Sequence, residues 1–119
     1  MRYLNAAGPI LPRINTTSSS ATPSIDTDTT DLFTITALAA AITSMTTNLT
    51  GTAVNGQLLT IRIKDNGTAR AITWGSSFVS SGLATLLGTT VVNKTHLVKL
   101  MYDSTAAKWI CIGCDLVGY

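Results

Sequence analysis

The sequence has no glutamate, and charged residues make up only 12% of its 119 residues. Soluble domains usually contain about 25% charged residues. The surface must therefore be unusually neutral, so it is either covered by neighbouring molecules or built from Thr, Ser, Asn and Gly. The net charge of +2 comes from scattered Lys, Arg and Asp residues and is too small to indicate binding to nucleic acid.

Long apolar segments are absent as well. No apolar run reaches the roughly 18 residues that a helix needs to span a membrane. The first residues, Met1-Arg2-Tyr3-Leu4-Asn5, lack the apolar core of a signal peptide. We therefore expect no membrane partner, and we expect synthesis in a cytoplasm.

Residues that commonly carry out catalysis are scarce. His96 is the only histidine, it lies within an apparent strand, and no Gly-x-Ser-x-Gly sequence surrounds any serine. The sequence therefore favours a packed or hydrogen-bonded histidine over a Ser-His-Asp triad. We predict that the protein is not an enzyme and carries no cofactor.

Two sets of possible metal ligands have simpler interpretations. Cys111 and Cys114 lie in an apparent strand, where side chains three residues apart point to opposite faces, and a zinc site needs four ligands. We predict packed cysteines, with zinc completed by His96 and an Asp, or by a neighbouring chain, as the alternative. Asp26, Asp28 and Asp31 are spaced like cation ligands, but no EF-hand pattern follows, so we predict turns that their side chains stabilise.

The sequence is rich in β-branched Thr, Val and Ile, which suit pleated sheets. Alternation is clearest over residues 57–64, and Asp65-Asn66-Gly67 then favours a hairpin with a returning strand over residues 69–74. About seven short strands separated by turns predict an all-β domain over residues 31–119, an antiparallel β-sandwich or jelly roll. The other predicted strands cover residues 32–36, 89–92, 95–102 and 108–114, and residues 37–45 fit either a helical turn or a strand.

Residues 1–30 differ from the rest because they combine prolines, a Ser/Thr run and apolar side chains. Prolines favour an extended backbone, and the apolar residues argue against a fully solvated tail. We predict an extended N-terminal arm that orders on a partner. A disordered terminus and a first strand packed on its own domain are the alternatives. The residues expected to bind the partner are Arg2, Tyr3, Leu4, Ile10, Leu11, Arg13 and Ile14.

Residues 56–74 resemble a module of tailed-bacteriophage virion proteins, in which a strand, a Lys-Asp-Asn-Gly turn and an Ala-Arg-x-Ile-Thr-Trp segment follow one another. Here these are residues 64–67 and 69–74. The resemblance extends over about residues 24–116, with Met101-Tyr102-Asp103-Ser104 and Lys108-Trp109 near its end. Such modules are β-sandwiches that associate as trimers in head-decoration proteins, head fibres and tail-fibre proteins.

The resemblance implies a virion protein. Because the sequence adds no fibrous shaft to the module, we favour a capsid decoration (cement) protein, a homotrimer that binds the major capsid protein on the outer surface of the head and is made in the cytoplasm of a bacterial host. The alternative is a tail-fibre or tail-tip receptor-binding module, in which Trp74 and Trp109 could stack on sugars. We predict four anchors of the oligomer interface or the core: Trp74, Phe78, His96 and Trp109.

Overall fold

A computed structural model of the chain describes residues 3–4 and 10–119, and all regular structure in these residues is β-strand. This confirms the all-β prediction. No helix that could cross a membrane occurs in the described residues. The strands are β1 Tyr3–Leu4, β2 Ile10–Leu11, β3 Ile14–Thr17, β4 Ile25–Asp26, β5 Leu32–Leu38, β6 Leu49–Thr50, β7 Leu58–Asp65, β8 Phe78–Val79, β9 Thr95–Asp103 and β10 Lys108–Cys114.

The main sheet has six strands in the order β3-β5-β7-β9-β10-β8. Strand β9 runs antiparallel to β7 and to β10, whereas the pairs β3/β5, β5/β7 and β10/β8 are parallel. The predicted antiparallel arrangement is therefore wrong, because this sheet is mixed. Parallel neighbours need long crossover connections, and residues 18–31 and 39–57 supply them.

One face of the main sheet is covered by a second layer of mostly irregular chain. This layer contains the parallel pair β4/β6 and two isolated bridges, Ile42 to Ile72 and Ala71 to Thr89. The predicted hairpin after β7 is wrong, because β7 pairs with β9 and residues 69–74 pass into the second layer instead. The buried core lies between the two layers.

Alternation along the central strands decides which side chains enter this core. Leu59, Ile61 and Ile63 of β7 are fully buried, as the period of two predicts. From β9, Val98 and Leu100 point the same way and are also fully buried. The remaining buried apolar residues come from both layers: Ile25, Phe33, Ile35, Leu38, Ile42, Met45, Ile72, Trp74, Phe78, Leu87, Trp109 and Cys111.

Part of the predicted arm belongs to this body. Strand β3 pairs with β5, β4 pairs with β6, and Ile25 is fully buried. Residues 14–17 and 25–26 thus fit the alternative of a first strand packed on its own domain. Of the residues expected to bind a partner, Leu11 and Ile14 are 51% and 56% exposed, and Arg13 forms an ion pair with Asp31. Tyr3 pairs with Leu11 and Leu4 with Ile10 through β1 and β2, while Arg2 lies outside the described residues.

Candidate interaction surface

The four predicted anchors lie inside the protein. Trp74, Phe78, His96 and Trp109 are at most 7% exposed. The Trp74 and Phe78 rings meet edge to face at 5.3 Å, and the Trp74 indole N–H donates to the Leu87 carbonyl at 2.8 Å. These contacts anchor the core of one chain, and neither tryptophan presents a free ring face on which a sugar could stack.

His96 is held by two backbone groups. Its Nε2 accepts a hydrogen bond from the Val91 N–H at 3.0 Å, and its Nδ1 lies 2.7 Å from the Asp115 carbonyl oxygen. Because an N–H can only donate and a carbonyl can only accept, the proton of the ring sits on Nδ1. Both nitrogens are occupied, so this histidine fastens the loop before β9 and the segment after β10 to the sheet.

Asp65 is a buried carboxylate at the end of β7. Its Oδ1 accepts hydrogen bonds from the Gly67 and Asn93 N–H groups, each at 3.0 Å, and its Oδ2 accepts one from the Thr90 hydroxyl at 2.8 Å. Burial alone would raise the pKa of this carboxyl, but these hydrogen bonds outweigh burial and hold the pKa below its usual value. The sequence identified Asp65 only as a turn residue. It did not reveal the hydrogen bonds that Asp65 accepts from Thr90 and Asn93.

The three spaced aspartates hold backbone and side-chain partners. Asp26 accepts from the Asp28 N–H, Asp28 accepts from the Thr52 N–H, and Asp31 binds Arg13. The Asp26 contact spans two residues and forms the kind of side-chain turn that was predicted. Within residues 11–119, no three His, Cys, Asp or Glu side chains are grouped to hold a metal ion.

The two cysteines lie on the same face of β10, contrary to the prediction from strand alternation. A β-bulge at Ile112 shifts the register, so that Cys111 is opposite Leu100 and Cys114 is opposite Val98, both inward-facing residues. Both thiols are free. Burial raises the pKa of Cys111, and burial together with the nearby Cys111 sulfur raises the pKa of Cys114 to about 11. Both cysteines are therefore thiols at neutral pH.

The second layer covers the inner face of the main sheet, and nothing in the described chain covers the opposite face to the same degree. We call this opposite side the outer face. Four apolar side chains occupy matching positions across it, because Leu58 is opposite Met101, Met101 is opposite Ile110, and Ile110 is opposite Val79. Leu58 and Met101 are 40% and 39% exposed. We call Leu58, Val79, Met101 and Ile110 the apolar row.

Further apolar residues adjoin the apolar row. Ile14 and Leu32 are register partners on β3 and β5, and Leu97 is 38% exposed on β9. Two shallow depressions of about 410 Å³ each lie on this face. One contains Leu32, Leu58 and Leu97, and the other contains Met101, Ile110 and Ile112.

Towards the other end of β7 the outer face becomes basic. Arg62 and Lys64 point outward from β7, and Lys99 points outward from β9. We call these three residues the basic cluster. The Nε atom of Arg62 and the hydroxyl of its register partner Thr34 are buried and find no hydrogen-bond partner in the part of the chain that the structure describes. The alternation in the sequence predicted an outward face for β7. It did not predict that β5 and β9 are the strands beside β7.

The chain matches no protein-family model, and comparisons with curated proteins and with solved structures give no match. The resemblance to bacteriophage modules therefore rests on the sequence patterns quoted above and stays a prediction.

Proposed function

We propose that this protein is a bacteriophage structural protein that decorates the head shell. Its β-sandwich domains assemble as a homotrimer, bind the major capsid protein on the outer surface of the particle, and stabilise the shell through buried area. The apolar row is the observation that carries this proposal. In the apolar row Leu58 and Met101 are exposed and Val79 and Ile110 are partly exposed, and such an alignment across four strands is typical of protein–protein contacts, whereas scattered exposed side chains are not.

Composition supports the same function. Only 12% of the residues are charged, so the surface has few charged side chains to hydrate it. Small domains also leave much of their surface unburied, and oligomerisation removes part of it from water. In the proposed trimer the apolar rows of three chains meet near the symmetry axis, because a symmetric assembly repeats one patch on every subunit.

A second proposed contact uses the N-terminal residues. Leu11 and Ile14 are apolar residues of the predicted arm, and each exposes about half of its side chain. We place the capsid-binding role on this region, together with Arg2, Tyr3, Leu4, Ile10 and Arg13. Arg13 would act by positioning, since its guanidinium binds both Asp31 and the Asp28 carbonyl.

A tail-fibre receptor-binding module remains the second candidate, but the structure offers it less support. That function predicts exposed aromatic side chains around residues 74–83. Both aromatic residues of this loop, Trp74 and Phe78, are buried. Its exposed apolar residue is Leu83, at 77%, and a leucine cannot stack on a sugar ring as an aromatic residue does.

The copy number of the protein in purified particles tests the proposal. Quantitative mass spectrometry against the major capsid protein should give a ratio of the order of one decoration subunit per capsid subunit, because lattice-wide decoration repeats with the shell. A few copies per particle would contradict head decoration and favour a tail location. Absence from the particle would contradict both functions.

A further inference from the structure

The basic cluster is the part of the outer face that a second copy of this chain cannot cover well. Lys99 lies on β9 opposite Thr60, two residues along from the pairing of Arg62 with Leu97. Diagonal neighbours of this kind are about 7 Å apart, as are Arg62 and Lys64 along β7. Arg62 therefore lies between two lysines, Lys64 on its own strand and Lys99 on the next, in the middle of the sheet.

The described outer face offers these cations little counter-charge. Asp31 lines the same depression as Arg62 and Lys99, but its carboxylate is held by the Arg13 guanidinium and backbone N–H. Asp103, at the far end of β9, accepts hydrogen bonds from the N–H groups of Thr105 and Ala106. Covering the basic cluster with another basic cluster would bring like charges together, and covering it with an apolar row would desolvate the cations without a partner.

The surroundings of the cluster favour a protein ligand over nucleic acid. Leu32 and Leu97 share its depression, and Thr34 and Thr36 line the adjoining one. Protein surfaces that bind nucleic acid usually carry a larger excess of positive charge than the +2 of this chain. An extended acidic segment satisfies both features, because its carboxylates can pair with the cations while its apolar residues fill the depression.

We propose that the basic cluster binds carboxylate groups of an acidic segment on a partner protein. The assignment of that partner as the capsid rests on the proposed function, and it would make this end of the outer face the shell-facing contact while the apolar row joins the subunits. Arg62, whose Nε has no hydrogen-bond partner among the described residues, brings a guanidinium group that would pair with one of these carboxylates.

A labelled oligo-glutamate peptide tests the carboxylate site on the purified full chain by fluorescence anisotropy. Lys64 and Lys99 are exposed, so their replacement by Gln should leave the fold intact. We expect the Lys64→Gln, Lys99→Gln double variant to bind about tenfold more weakly, since each exposed ion pair contributes a few-fold in affinity. Raising the salt concentration should weaken the wild type much more than the variant.

Lys94→Gln provides the matched control, because Lys94 is an exposed cation outside the outer face. Equal weakening in this control would show an effect of net charge only and would overturn the proposal. So would a failure of the wild-type protein to bind oligo-glutamate, or tighter binding to a DNA duplex of equal charge.

Binding to particles separates this inference from the proposed function. If the double variant decorates particles as well as the wild type, the basic cluster is not the capsid contact and the proposed function stands. If the wild type binds oligo-glutamate but no particle component, the carboxylate site stands and head decoration is wrong.

Discussion

At the scale of single residues, Asp65 shows how one buried carboxylate can join two loops. Its oxygens accept from the backbone of Gly67 and Asn93 and from the Thr90 hydroxyl. A turn signal in the sequence is local, and Asp65-Asn66-Gly67 displays one. The contact with Thr90, 25 residues away, has no local signature, so sequence reasoning identified the turn but assigned it to a hairpin that does not form.

Asp65→Asn should lower the free energy of unfolding by about 2 kcal/mol at pH 7, because the amide group turns a donor toward groups that donate. Folding lowers the pKa of Asp65 from its unfolded value of about 3.8. The ionised carboxylate therefore stabilises the fold at pH values above this unfolded pKa. This contribution is lost as the pH falls through the folded pKa. Urea unfolding should show that the difference in the free energy of unfolding between wild type and variant is smaller near pH 3 than at pH 7. A difference independent of pH would contradict this role for the charge.

The two thiols lead to a second prediction at this scale. With a pKa of about 11, Cys114 should react with iodoacetamide at pH 8 about a hundredfold more slowly than an ordinary exposed thiol, because the thiolate is the reacting form. Mass spectrometry of the native protein would measure the rate, and urea-unfolded protein provides the control. Equal rates in the native and unfolded states would show that burial does not protect these residues.

At the scale of elements, the sequence predicted best where one face of a strand is buried. Strands β7, β9 and β10 were located from their alternation, since a sheet with one covered face imposes a period of two. The parallel pairing of β5 with β7 was missed, because it depends on the path of residues 39–57 across the core. The bulge at Ile112 was also missed, and it reverses the predicted facing of Cys114.

The segment after β10 is a further element that sequence patterns did not show. Asp115 accepts hydrogen bonds from the N–H groups of Val117 and Gly118, and Tyr119 exchanges two backbone hydrogen bonds with Thr95. Gly118 has a φ of +84°, and a Cβ placed there would collide with Lys94 and lie 3.2 Å from the His96 ring. The turn therefore needs glycine for both its backbone conformation and its close approach.

Gly118→Ala should lower the free energy of unfolding by about 1–3 kcal/mol, because alanine is strained at a positive φ and its methyl group would collide with Lys94, just before β9. Urea unfolding followed by tryptophan fluorescence would measure the change. Gly82→Ala is the matched control, since a Cβ at Gly82 meets no atom within 4 Å. We expect a change of less than about 0.5 kcal/mol there. Equal effects at the two positions would contradict a specific constraint at Gly118.

At the scale of the whole molecule, the sequence indicated an all-β fold with little charge but not the alignment of the apolar row on the outer face. Leu58, Met101 and Ile110 are far apart in the chain, and only the register of β7, β9 and β10 aligns them. The sequence predicted Trp74 and Trp109 as anchors of an interface or of the core, because aromatic residues often fill both roles. Here both tryptophans are buried in the core, Trp109 from β10 and Trp74 from the second layer.

If the apolar row joins subunits, adding charge to it should break the oligomer without unfolding the chain. Met101→Lys puts a cation at a position that is 39% exposed, so the fold should lose no more than about 1 kcal/mol. Three lysines meeting near one axis would be desolvated and would repel one another, and we expect a trimer to become a monomer in sedimentation velocity. Leu83→Lys likewise introduces a lysine at an apolar position, here 77% exposed in the loop after β8, and this variant should stay trimeric. A wild-type protein that is monomeric at all concentrations would contradict the trimer, and a Met101→Lys trimer would move its interface away from the apolar row.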